Sequence, residues 1–424
     1  MQKQTLTSII LWSVISAAFI GPGTVTTAAS AGSLFGLDLL WAIVFATIAC
    51  IVLQEVSARL TIVSGLTMGQ ALVRGYGAGR SRWLTLLLGG PVILGCAAYE
   101  AGNILGAVSG VQLLTDWQLP AITIVCTAVA FAVLWTDRRQ AIGWLMTFLV
   151  GLMGLAFFAL AAERPYSISE YLQFSMAPSL PAGSELLTLG LVGTTIVPYN
   201  VFLGSGISKG QTVPLMRIGL TISVLIGGLI TAAILIAGTA VPSFTNFSEL
   251  AESLTKSMGP LGAWALGIGL FAAGFSSAIT SPYAAAIIAG SVFDWKPIGQ
   301  RIVWITVLLT GFVFGISGIK PIPVILAVQA LNGLVLPLLT AFLILMVNHP
   351  DLVPREQRPS IGYSLVLIAI FASVLMMGLN NMDKSISTGL GIQSGHWMIM
   401  IGVTTVLTLW LIYSLSGRIR ASQS

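Results

Sequence analysis

The chain has 424 residues, of which 56% are hydrophobic and 8% charged, with a formal net charge of +5 and a mean hydropathy of +0.95. A soluble domain is roughly one-quarter charged, so these values describe an integral membrane protein and give an enzyme or receptor little to stand on. The three cysteines, Cys50, Cys96 and Cys126, are odd in number and lie in apolar runs, which excludes a disulfide framework.

A spanning helix needs about 20 mostly apolar residues. Twelve such stretches are predicted, at 8–33, 37–62, 84–113, 119–135, 141–162, 185–207, 214–241, 260–292, 300–318, 322–347, 361–380 and 396–415. Lys3, the apolar run after it and "TAASA" have the look of a secretory signal. The run continues past that site, however, and eleven more spans follow. With both termini cytoplasmic, fifteen of the nineteen Lys and Arg residues fall inside, and only Arg164, Lys256, Lys320 and Lys384 fall outside. This is the bias expected of an inner (plasma) membrane protein, and it explains the basic balance without nucleic acid.

The first span carries Gly21, Pro22 and Gly23 at its middle, in "FIGPGTVTTAA". Proline removes a helix donor and glycine lets the chain unwind. In hydrocarbon, irregular backbone is tolerated only against protein or a water-filled cavity. One proline can also simply kink a span. In the second span, Glu55 lies four residues before Arg59, the spacing of an interfacial ion pair. The third span holds Glu100 in "CAAYEAGNILGA", with Asn103 one turn on. An intramembrane acid marks an ion or proton pathway by default, and a protonated, purely structural carboxyl is the other reading.

The sixth span is also interrupted, by Val197, Pro198, Tyr199 and Asn200 in "LLTLGLVGTTIVPYNVFLGSG". Matching breaks in the first helix of two oppositely threaded five-helix halves mark an inverted-repeat secondary transporter with its substrate site at the breaks. The expected organisation is one polytopic domain, with repeats at 8–162 and 185–347 and peripheral helices at 361–415. Side chains at the breaks are neutral: Thr24, Thr26 and Thr27 on the first, Thr194, Thr195, Tyr199 and Asn200 on the second. A bare divalent cation wants carboxylates, imidazoles or several oxygens, and neither break contains Asp, Glu, His, Cys or Met. A small polar solute is expected instead, with a carboxylate held by the amides of Gly23 and Thr24. No metal site and no cofactor are expected.

In the eighth span, Ser276, Ser277, Thr280 and Ser281 sit among small residues, a pattern suited to close helix packing. Phe275 reads as a core or lipid-facing residue. Gln329 and Asn332, in "LAVQALNGLVLP", are polar mid-span residues placed to line the inward path.

Five motifs in order resemble the NRAMP divalent-metal transporters. "GPGTVTTAASAGSLFGLDLLW" is similar to that family's first-helix Asp-Pro-Gly-Asn motif, and "LQEVSARLTIVSGLTMGQAL" to its second helix and loop. "VPYNVFLGSG" resembles the sixth-helix Met-Pro-His-Asn motif, "AAGFSSAIT" an eighth-helix Gln-Ser-Ser run and "QALNGLVLP" a tenth-helix run. The resemblance implies an all-α, LeuT-like fold of five plus five helices, with helices 1 and 6 discontinuous. It places substrate positions at Gly21, Thr24, Val197, Tyr199 and Phe275, where the family has Asp, Asn, Met, His and Gln, and a second family His at Gly204. Glu100 and Asn103 stand where the family has an acidic pair implicated in proton movement.

The signature metal ligands are therefore replaced. The expected function is NRAMP-related secondary-active transport by alternating access, with a coupling proton and a non-metal solute. The alternatives are a divalent-cation transporter, for example of hydrated Mg²⁺, and a non-transporting sensor.

Overall fold

The computed structural model describes residues 2–136, 138–241, 244, 246–320, 335–390 and 395–421. Among them the regular structure is entirely helical. In chain order the helices are α1 (Gln2–Phe19), α2 (Pro22–Phe35), α3 (Leu40–Ser64), α4 (Met68–Tyr76), α5 (Ala78–Gln112), α6 (Leu119–Trp135), α7 (Arg139–Ala162), α8 (Ile168–Met176), α9 (Glu185–Thr195), α10 (Pro198–Ser208), α11 (Val213–Gly238), α12 (Phe247–Met258), α13 (Pro260–Val292), α14 (Pro297–Ile316), α15 (Val335–Val347), α16 (Ile361–Leu390) and α17 (Trp397–Ala421).

Among the described residues nine segments are long and apolar enough to cross a membrane, and α1 with α2 makes a tenth, bent by 62° at its break. The shorter apolar helices α6 and α15 occupy the fourth and tenth predicted spans. Residues 322–334 of the tenth, with Gln329 and Asn332, lie outside the described residues.

α13 and α5 form the most extensive helix pair, and α1 packs against α11 and α7. The α5–α13 seam is close because it is lined by small residues. A Cβ on Gly274 would run into the backbone of Ala107, and one on Gly110 into that of Phe271. Gly32 and Gly238 likewise bring α2 against α11.

Three short helices that the span pattern does not reveal join the long ones. α4 begins with a capping box between Thr67 and Gln70, and α8 with one between Ser167 and Glu170. Asn246 caps α12 by accepting from the Glu249 N–H at 2.8 Å. Each cap satisfies a backbone donor that the first helical turn leaves without a partner.

Candidate functional site at the two helix breaks

The first break is a two-residue unwinding between α1 and α2. Gly21 is extended (φ −94°, ψ −178°) and Pro22 opens α2. That position suits proline, whose missing N–H is one the helix start could not pair anyway. The α5 helix presses on the ring of Pro22 through Gly106, where any Cβ would overlap it.

The last carbonyls of a helix have no partner within it. Here four hydroxyls cap three of them in succession. Ser277 of α13 donates to the Ala17 carbonyl at 3.2 Å, Ser276 shares its hydroxyl hydrogen between Ala17 (3.2 Å) and Ala273 of its own helix (3.1 Å), Tyr199 of α10 donates to Ala18 at 2.8 Å, and Thr24 donates to Phe19. The donors are neutral hydroxyls from three helices, α2, α10 and α13. Ser276 and Ser277, expected only to pack, are thus part of the break.

The position where the family carries its acid is also tight. A Cβ on Gly21 would lie 2.9 Å from Ser277 Oγ and 3.5 Å from Asn103 Oδ1. Similarly, Gln54 Oε1 of α3 occupies the space beside Gly204, where the resemblance expects a histidine.

At the second break α9 ends at Thr195 and Pro198 opens α10, with Val197 extended between them (φ −78°, ψ 128°). The Thr194 and Thr195 hydroxyls both turn back to the Leu191 carbonyl, at 3.1 and 3.0 Å, the local bonding that competes with ligand contact. The Val197 carbonyl accepts from the Asn200 N–H at 3.0 Å. The Asn200 side chain is different. It is fully buried, and neither its Oδ1 nor its Nδ2 has a partner among the described residues. The same holds for Thr26 Oγ1 and Tyr99 OH. Buried polar groups are normally paired, so each of these three has unused capacity for a ligand.

Tyr99 and Tyr199 meet edge to face, with ring centroids 5.8 Å apart. They lie at the end of a cavity of about 400 Å³ between α5, α10 and α15, otherwise lined by Pro91, Val92, Pro198, Val335 and other apolar groups. Glu100 is fully buried. Its Oε2 accepts from Asn103 Nδ2 at 3.2 Å, while Oε1 has no partner among the described residues. Asn103 thereby connects the acid to Gly21.

Thr27 is buried on α2, and Gly23 is half-buried at its start. Phe275 is not brought to the breaks. Its ring stacks on Phe271 (5.4 Å) and lines an apolar cavity with Trp117, Ile122 and Cys126. Tyr99 and Gln54 were not singled out from the sequence, although each is a polar residue within a span. Among the described residues no three His, Cys, Asp or Glu side chains gather as a metal-binding group. Hydroxyls, amides and helix N-termini are what the breaks offer, and these recognise neutral polar groups and anionic oxygen.

Two interrupted helices crossing inside an all-helical bundle define a LeuT-like transporter fold, and solved structures agree. A manganese transporter from Eremococcus coleocola superposes with a TM-score of 0.75 at 18% identity, over 100% of this chain and 96% of that one. Mhp1, described as a nucleobase-cation-symport-1 family transporter with bromovinylhydantoin bound, gives 0.59 at 14% identity, over 97% and 92%.

Residues 13–384 match the family described as natural resistance-associated macrophage protein-like, and the chain belongs to that Nramp family of transporters. Its relatives include proteins named divalent metal cation transporter MntH. The one from Caldanaerobacter subterraneus is 25% identical, over 85% of this chain and 90% of its own length. The one from Acidiphilium cryptum is 27% identical, over 87% of each.

Proposed function

We propose that this Nramp-family protein is a secondary-active transporter whose cargo is a small polar solute bearing a carboxylate, carried by alternating access across an inner (plasma) membrane with both termini cytoplasmic. The observation that carries this reading is the first break. The Ala17, Ala18 and Phe19 carbonyls each accept from a neutral hydroxyl, and a Cβ at Gly21 would press on Ser277 Oγ at 2.9 Å. A divalent ion stripped of water would meet no charge there to offset its dehydration. The unpartnered Asn200 amide can both donate to and accept from a polar organic group, and the start of α2 favours its carboxylate. The Mhp1 likeness adds that an organic ligand is compatible with this fold.

The expected two-repeat organisation, 8–162 and 185–347 with 361–415 outside it, underlies the alternating-access part. The short helices α4 and α12 support it, because each directly precedes the third long helix of its half. A coupling proton is assigned to Glu100 and Asn103. If Glu100→Gln leaves uptake and its pH dependence unchanged, that assignment is wrong.

The relatives' names favour a second reading, divalent-cation transport. Hydrated Mg²⁺ would fit it better than a bare transition metal, because it keeps several waters and needs few protein oxygens. The two separate in proteoliposomes. Uptake driven by an imposed proton gradient is measured for a panel of amino acids, hydroxy acids and oxo acids, and for Mg²⁺ and Mn²⁺. The reading expects saturable uptake of a carboxylate-bearing solute, lost in Asn200→Ala. Saturable metal uptake with no organic solute carried would replace it with the second.

A further inference from the structure

Away from the breaks, α3 and α11 run side by side and enclose two consecutive cavities. One, of about 740 Å³, is walled by Val44 and Ile48 of α3, Leu225 and Leu229 of α11 and Phe158 of α7. The other, of about 860 Å³, takes up one turn further along both helices, with Ile51 and Thr221, and ends at Arg59, Arg217 and Arg358. The first is apolar and the second cationic, so the groove has a tail and a head.

The charges at the head are arranged around Glu55. Its Oε1 accepts from Arg59 Nε at 3.0 Å and from Arg217 Nε at 2.8 Å, and its Oε2 accepts from Tyr363 OH at 2.9 Å. Every nitrogen of Arg59 is engaged, because one terminal nitrogen also donates to Glu55 Oε1 at 2.5 Å and the other to the Gln357 carbonyl at 3.3 Å. Arg217 and Arg358 are not. Among the described residues each uses only Nε, Arg358 on the Val353 carbonyl at 2.9 Å, and the Arg217 side chain is 51% exposed. Both keep two terminal nitrogens with free N–H groups. Three arginines line this cavity against two carboxylates, Glu55 and the exposed Glu356, so its lining is net positive.

We propose that the α3–α11 groove binds one anionic phospholipid, its phosphate held by Arg217 and Arg358 and an acyl chain laid along Ile48, Val44, Leu225 and Leu229. A guanidinium with two free N–H edges matches a phosphodiester. From Arg217 to Leu229 is twelve residues, about 18 Å of helix, close to the roughly 15 Å of hydrocarbon in one leaflet. The four apolar residues are between 38% and 59% exposed, a surface an acyl chain would cover. A free phosphate would use the head and leave the tail empty, and the apolar cavity in line with it is what points to a lipid. The site also bears on the breaks, because α3 holds α10 through Ser57 Oγ on the Val201 carbonyl (2.7 Å) and through Thr61 with Ser205 (2.6 Å).

The test uses the purified full-length chain in detergent, titrated with dioleoyl phosphatidylglycerol, dioleoyl phosphatidylcholine or sodium phosphate. Binding is counted by native mass spectrometry and followed by thermal melting. We expect one saturable phosphatidylglycerol and a rise in melting temperature, weakened by salt, with no comparable effect of phosphatidylcholine or phosphate. Arg358→Gln, which leaves the Glu55 cluster intact, should weaken phosphatidylglycerol binding about tenfold. Leu229→Trp should weaken it by filling the tail, with both arginines in place. Equal binding of the two lipids, stabilisation by phosphate alone, or phosphatidylglycerol binding unaltered in both variants would overturn the proposal.

Discussion

The two breaks differ in how much of their hydrogen-bonding capacity is already taken. At the first, the Ala17, Ala18 and Phe19 carbonyls are capped by Ser276, Ser277, Tyr199 and Thr24, and no side chain can be added at Gly21 without moving Ser277. At the second, the Asn200 amide is buried with both ends unpartnered among the described residues. Family resemblance makes the breaks equivalent partners in one ligand site. The structure caps the end of α1 with hydroxyls and leaves the Asn200 amide at the second break, with Thr26 Oγ1 on α2, unpartnered among the described residues. Selectivity should accordingly lie with Asn200, Tyr99 and Thr26, and stability with the caps on α1.

The largest effect expected from this contrast is at Gly21. Restoring the family's acid by Gly21→Asp forces a carboxylate between Ser277 Oγ and Asn103 with no cation to pair it. It should cost about 3–5 kcal/mol, read as a drop in melting temperature, and should not create manganese binding by itself. A stable, manganese-binding variant would show that the first break is open after all.

Next comes Tyr199→Phe, which strips the Ala18 carbonyl of its donor inside the bundle. A loss of about 1–3 kcal/mol is expected, measured in the same melts. Asn200→Ala is the counterpart. Its amide has no bond to lose, so stability should change by less than about 1 kcal/mol, while solute uptake should fall about tenfold or more. If Asn200→Ala destabilises the protein more than Tyr199→Phe does, the contrast between the breaks is reversed.

The smallest effect lies outside both breaks and serves as a control. Beyond the Ile361–Asn380 span, Asp383 accepts from the Gly395 N–H at 2.7 Å and meets His396 Nδ1 at 2.5 Å. These bonds, that of Gly395 foremost, hold its carboxyl below the usual carboxylate range. A carboxyl lowered on folding contributes stability that is complete above its unfolded value and lost as pH falls through the folded one. Asp383→Asn should therefore lower the melting temperature slightly at neutral pH, and the difference from the native chain should vanish as pH falls through the folded carboxyl's lowered range. A gap between the two that persists in acid would assign the bond's role to packing.

The spans and both breaks were legible because they depend on local composition. Twenty apolar residues and a mid-span proline flanked by glycine or by a break in helix-forming residues can be read without tertiary knowledge. The short helices were legible in principle, since Thr67–Gln70 and Ser167–Glu170 carry the capping-box spacing, but hydropathy hides elements that lie across the bundle. What the caps do was not legible. Tyr199 stands 181 residues from the carbonyl it satisfies and Ser277 stands 260 from its own, so only packing decides that these hydroxyls meet α1. Glu55 is similar. Its spacing to Arg59 gives an i,i+4 pair, yet Arg217 and Tyr363, 162 and 308 residues away, make it a hub. Phe275 was placed in the site by motif position alone, and its ring faces α6 instead.

If the first break has no carboxylate, imidazole or thioether to offset dehydration, a bare transition-metal ion should not bind there. Calorimetric titration of the purified protein with Mn²⁺, paired with Mn²⁺ uptake in proteoliposomes, should then give no saturable heat and no uptake above empty liposomes. Micromolar binding that disappears in Tyr199 or Thr24 variants would place the metal at the break instead.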